Sequence, residues 1–175
     1  PMRLGSALIP LLNDGWYYGQ DINPSTIAFG EEVLRESGIP KQASYTLFAS
    51  DQFEFTPVDR PVQIAFANSV FSHLTLNSIF TALLQLQTVL APSGALYATF
   101  FALEPGRSWL EPHPRNKWGH EFETYPQQDP YHYPFPLLRD LACQAGFRLD
   151  LIDDFGHPTQ TMVRFRRPRR QRWFR

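Results

Sequence analysis

Cysteine is almost missing from this 175-residue sequence: Cys143 stands alone. An intrachain disulfide and a cysteine-rich zinc site are therefore excluded. Long apolar runs are missing too. The longest, residues 94–103, is about half of the roughly 20 residues a spanning helix needs, and it contains Tyr97 and Thr99. No leader pattern opens the sequence, and a reduced, cytoplasmic compartment is the expectation. No G-x-S-x-G turn is present, and Cys143 falls inside a helical pattern, so neither a serine nor a cysteine nucleophile finds support. Acids disappear after Asp154. What is present is a chain that is 43% hydrophobic and 15% aromatic, enough to exclude disorder as its main state and to build one sizeable core.

The formal net charge of −1 conceals an asymmetry. All 17 acids lie at or before Asp154, whereas seven arginines crowd the closing stretch RFRRPRRQRWFR. Such a tail, with Trp173 and Phe174, could meet nucleic acid or an anionic surface. The simpler reading is a last strand followed by a solvated tail, or a tail folded back on the acidic body.

Short apolar runs alternate with helical periodicity, which predicts α/β architecture around a parallel sheet. Helices are expected over 4–12, 24–37, 76–90 and 135–145. Strands are expected over 16–22, 44–49, 62–70, 95–102, 147–153 and 161–165. Asn23-Pro24 is a helix start, because Asn caps and Pro suits the first helical position. Gly38 and Gly146 supply left-handed stops. Residues 51–61 read as a loop. Residues 103–133 break the rhythm with five prolines, six aromatics and three histidines. A loop of that length and aromatic content predicts an insertion or lid.

In open α/β sheets ligands sit beyond the carboxyl ends of parallel strands. Asp21, Asp51, Asn68, Phe71 and His73 follow the first three expected strands, and Asp153, Asp154 and His157 follow a later one. Asp21 could accept ribose hydroxyls or simply favour a helix N-terminus. Asp51 could accept an adenine amino group or serve a turn. Asp154 with His157 could be a base and its orienting partner, or a hydrogen-bonded turn. His113, His120, Glu121, Glu123 and His132 lie in the insertion without a ligand spacing, so no metal is expected.

These segments resemble a class I S-adenosylmethionine-dependent methyltransferase. YYGQDINPSTIAFGEE is similar to the family's second strand, ribose-binding acid and following helix. LFASDQFEF is similar to its third strand. VQIAFANSVFSHLTLNSIFTALLQLQTVLAPSGALYATFF, the most specific stretch, is similar to strand four, the S-V-F-x-H-L turn, a helix and strand five. There Ser93 replaces the first glycine of the family's L-x-P-G-G-like turn. FPLLRDLACQAGFRLDLIDDFGHPTQTMVRFRR resembles the last helix and closing hairpin.

The resemblance implies a Rossmann-like three-layer sandwich with sheet order 3-2-1-4-5-7-6, the last strand antiparallel. Strand 1 and its Gly-rich loop are expected to be absent from this chain, as from an N-terminal truncation, and such a fragment is expected to be inactive. The domain would cover 1–167, with 103–133 as insertion and 168–175 as basic tail. S-adenosyl-L-methionine is the implied cofactor. Arg3 and Gly5 would be the loop's remnant, Asp21 and Asn23 would hold ribose, and Asp51 with Gln52 would read adenine. Ala67 and Asn68 would face the methionine portion, and Phe71 and His73 would line the pocket. The implied activity is methyl transfer to an acceptor, expected to be a small molecule. His157 is the first candidate base, with Asp154 orienting it and His132 second. Trp109, Trp118, Tyr131, His132 and Tyr133 would form the acceptor pocket. The competing readings are an inactive methyltransferase-like scaffold and, more remotely, a nicotinamide-dependent oxidoreductase.

Overall fold

Asn23 accepts the Ser25 backbone N–H at 2.9 Å through its side chain, and Pro24 occupies the first turn, so α2 (Pro24–Glu36) begins where its orphan donors are met. Gly38 ends it at φ +71. The computed structural model describes residues 3–12, 15–39 and 45–168. Contacts gather the chain into two units, Pro1–Arg60 and Pro61–Arg175. The boundary falls at the end of the Pro-punctuated loop 51–61, which the sequence reading places inside one domain.

In the first unit, α1 (Arg3–Leu8) runs into a 3-10 turn (Ile9–Leu11). Pro10 removes a backbone donor there, which shortens the expected 4–12 helix. β1 (Tyr17–Asp21) pairs in parallel with β2 (Tyr45–Ala49). Ile9 and Leu34 are buried, with Tyr17, Val33, Ile39, Tyr45 and Leu47 packed against them. Full burial of a side chain such as Leu34 stabilises by roughly 1.5–3 kcal/mol.

In the second unit, β3 (Val62–Ala67) lies parallel to β4 (Leu90–Ala102), and β9 (Thr161–Arg166) runs antiparallel between β4 and β8 (Arg148–Ile152). Thr75 caps α3 (Leu76–Val89), whose apolar stripe Ile79, Leu83 and Leu86 is buried as the periodicity predicts. α3 packs on α4 (Phe135–Gln144), and α4 packs on β8. Strand β4 starts five residues before the expected one, because Leu90 already pairs with Val62, ahead of a register shift to Ile64–Ala95. A Cβ at Gly94 would stand 2.6 Å from the Val62 carbonyl oxygen, so the close approach admits only glycine.

The insertion is built rather than irregular. β5 (His113–Lys117) and β6 (His120–Thr124) form an antiparallel hairpin, and β7 (His132–Tyr133) adds in parallel to the end of β4. Prolines 112 and 114 hide the hairpin in the sequence, yet a two-stranded ribbon has open edges that tolerate a missing donor. Phe122 rests on Phe101 at 5.5 Å between ring centroids, and the Arg115 guanidinium donates to the Ala102 carbonyl at 2.7 Å. The hairpin therefore lies over the carboxyl end of β4. Among the described residues no helix is long and apolar enough to cross a membrane. Residues 169–175, most of the expected basic tail, lie outside the described residues.

Candidate active site

Strand β3 ends at Ala67, and the chain turns through Asn68 and Ser69 into a 3-10 turn, Phe71–His73. Ser69 holds a left-handed φ of +55 without being glycine. Such strain persists only where surroundings over-determine it. Here Ser69 N–H donates to Thr99 Oγ1 at 2.7 Å, and Gln160 Oε1 accepts from Thr99 Oγ1 at 2.6 Å and from Ser69 Oγ at 3.1 Å. This polar knot ties the ends of β3 and β4 to the loop before β9.

His73 follows on that turn. Its Nδ1 lies 2.6 Å from Asp129 Oδ1, contributed by the insertion. A carboxylate only accepts, so Nδ1 carries the proton and the neutral ring keeps its lone pair on Nε2. Nε2 has no partner among the described residues. The insertion is held there by Tyr131 N–H donating to Ser72 O at 2.7 Å and by the Tyr133 hydroxyl donating to Leu74 O at 2.6 Å. The pair is an exposed imidazole with one ring nitrogen held by a carboxylate. The sequence places His73 at the site but not Asp129. The two are 56 residues apart, and no spacing rule joins them.

His157 is held differently. Its Nδ1 accepts the backbone N–H groups of Thr159 and Gln160 at 3.2 and 2.9 Å. The proton of the neutral ring is therefore on Nε2, and the ring offers a donor rather than a base. Burial, then the nearby Lys117, lowers its pKa below 6.5 and favours this neutral form. Asp154 is exposed and makes no hydrogen bond to it. The expected Asp154–His157 base pair is thus corrected: His157 caps a turn.

Three of the expected acceptor-pocket residues are partly or wholly spent on packing. His132 is fully buried; its Nε2–H donates to Trp109 O and its Nδ1 faces Thr124 Oγ1, both at 3.1 Å. Burial lowers its pKa, with His113 and Arg115 adding to the effect. A neutral ring with both nitrogens engaged is neither a base nor a substrate contact. Tyr133 is 1% exposed and stacks on Tyr131, and burial raises its hydroxyl pKa. Trp109 keeps a buried indole N–H without a partner. Trp118, at the hairpin tip, is 75% exposed.

At the strand ends of the first unit, Asp21 accepts the Asn23 N–H through Oδ1 at 2.9 Å, which leaves Oδ2 open. The Asn23 side-chain oxygen is committed to its helix cap. Asp51 and Gln52 are exposed, and the Asp51 carboxylate has no partner among the described residues. Phe53, next in the chain, is also left-handed, at φ +56. Ser50 O accepts from Gln20 at 2.8 Å, and Ser50 N–H donates to Asp21 O, so the ends of β1 and β2 are joined. Gly5 lies in α1; the Arg3 side chain lies outside the described residues. Among the described residues no group of three or more His, Cys, Asp or Glu side chains converges as a metal site.

No family model matches the sequence, and no curated protein matches it. Solved structures do. A methyltransferase from Clostridium acetobutylicum, S-adenosylmethionine-dependent, aligns over 94% of this chain and 79% of its own, with TM-score 0.65 and 8% identity. Magnesium protoporphyrin IX methyltransferase from Synechocystis, with bound SAH, aligns over 95% and 71%, with TM-score 0.60 and 15% identity. The mitomycin 7-O-methyltransferase MmcR gives TM-score 0.68 at 12% identity over 95% of this chain, which spans 46% of that one. The chain spans about half the length of several such structures. Its architecture is the fold of the class I S-adenosylmethionine-dependent methyltransferases.

Proposed function

We propose that the protein transfers a methyl group from S-adenosylmethionine to a hydroxyl or amine of a small molecule, with His73 as base and Asp129 as its orienting partner. The observation that carries the reading is the 2.6 Å contact between His73 Nδ1 and Asp129, which leaves Nε2 open at the end of β3. Each within its own unit, the parallel pair β1–β2 and the run β3–β4–β9–β8, with β9 antiparallel, support the 3-2 and 4-5-7-6 portions of the family's sheet order.

The residues present fit the cofactor. Ribose hydroxyls and an adenine amino group are donors, and Asp21 Oδ2 and the Asp51 carboxylate are acceptors without partners among the described residues. When bound, the cofactor supplies an electrophilic methyl group on a sulfonium. His73 Nε2 takes the proton of the acceptor hydroxyl or amine as that atom becomes nucleophilic, and Asp129 stabilises the resulting imidazolium. Positioned proton transfer of this kind contributes typically 10²–10⁴-fold.

A methyl-transfer screen against metabolite pools identifies the acceptor, and variants then test the dyad. His73→Gln lowers kcat by about 100-fold with cofactor affinity kept. Asp129→Asn lowers kcat by about tenfold with cofactor affinity kept. Full turnover in His73→Gln removes the base assignment.

A further inference from the structure

The hairpin tip carries a residue that its backbone does not favour. Trp118 sits at φ +51 and Gly119 at φ +86, the two central positions of a two-residue hairpin turn. Asn, Asp or Gly suits the first of these, and a bulky side chain there is strained. Asn116 accepts the Gly119 N–H at 2.9 Å and secures the turn without help from the indole, which is 75% exposed. Folding therefore does not explain the tryptophan.

Its surroundings do. Trp118 faces His157 at 6.1 Å between centroids, and His157 stacks on Phe155 at 5.8 Å with planes 7° apart. The Lys117 ammonium lies 4.8 Å from the Trp118 ring centroid and has no carboxylate partner among the described residues. Because Nδ1 of His157 is occupied, its Nε2–H points away from its own turn as a donor. Asp153 and Asp154 lie in the same loop, yet neither pairs with Lys117 or His157. The cluster thus presents ring faces, N–H donors and one cation without a neutralising acid. Gln160 anchors the loop to Thr99 and Ser69, which sets the cluster at the same sheet end as the His73 turn.

We propose that Lys117, Trp118, Phe155 and His157 form a recognition shelf for a planar aromatic acid. This rests on the methyl-transfer reading, in which that acid is the acceptor or its aromatic portion. Stacking selects the flat ring, and Lys117 with His157 Nε2–H selects the carboxylate.

The test is calorimetric titration of the full chain with 2-naphthoate and with its neutral isostere 2-naphthamide. Naphthoate binds, and naphthamide binds about fivefold more weakly. Lys117→Gln brings naphthoate down to the naphthamide level. Trp118→Asn suits the turn better, so its thermal midpoint is kept or raised while affinity for both probes falls about fivefold or more. Equal binding of the two probes overturns the anion preference, and unchanged binding in a folded Trp118→Asn overturns the shelf. The titration needs no turnover. Naphthoate binding without any methyl transfer therefore sinks the enzymatic reading and leaves the shelf, and a His73-dependent activity without naphthoate binding does the reverse.

Discussion

His157 Nδ1 accepts the Gln160 N–H at 2.9 Å, and Gln160 Oε1 in turn accepts from Thr99 Oγ1 at 2.6 Å. One ring nitrogen thus fixes the residue that ties the loop before β9 to the end of β4. His157→Asn, whose side-chain oxygen can replace Nδ1, is expected to keep the loop. His157→Phe leaves two backbone donors without an acceptor and costs about 1–3 kcal/mol. Urea unfolding of the two variants checks the difference. Under the proposed function neither variant is expected to shift the pH profile of turnover, because His157 Nδ1 is committed to two backbone donors.

Thr99 is fully buried and serves Ser69 N–H and Gln160 at once. Thr99→Val keeps the shape and removes the hydroxyl. Ser69 N–H then loses its acceptor, and the expected cost is about 1–3 kcal/mol. Faster hydrogen exchange at the Ser69 amide, confined to that turn, is the local signature. Protection equal to that of the parent chain would show that the knot does not hold the turn.

Local signals show in the sequence, and long-range pairings do not. The Asn23 cap, the Gly38 and Gly146 stops, and the stripe Ile79, Leu83 and Leu86 follow from spacing within one helix. The acids at the ends of β1 and β2 are legible for the same reason. Asp129 is not, because it reaches His73 only when the insertion folds over the turn after β3. His132 looks like a reactive residue in the sequence, and only burial against Thr124 and Trp109 O makes it structural. The hairpin β5–β6 is concealed by prolines that argue against a central strand but not against a free ribbon.

Stability is expected to fall on mild acidification, and His132 is one source. Its folded pKa lies below the ordinary 6.5, so just below that pH the unfolded chain binds a proton the folded chain refuses. The stabilisation is therefore complete above about pH 6.5 and is lost as pH falls toward the folded value. His157 shifts in the same direction and adds to the slope. Urea midpoints at about pH 7.5 and about pH 5.5 measure the loss. His132→Leu lowers stability at both but shrinks the difference between them. An undiminished difference would exclude His132 as a source.

Asp150 accepts from Arg148, Arg164 and Arg166, with N···O distances of 3.1, 3.2 and 2.5 Å. The Arg166 hydrogen bond is the largest cause that holds its pKa down to about 2. A depressed carboxylate stabilises above its unfolded pKa near 3.8, and that stabilisation is lost as pH falls toward 2. Three guanidiniums share this one acid, so its removal also leaves their mutual repulsion unopposed. The side chain is 18% exposed, so screening limits the effect. Asp150→Asn is expected to cost about 1 kcal/mol at neutral pH, less at high salt. It should also flatten the stability profile between pH 4 and 2, where thermal midpoints of the parent chain fall. Equal midpoints for parent and variant at neutral pH and low salt would show that the arginine cluster draws no stability from Asp150.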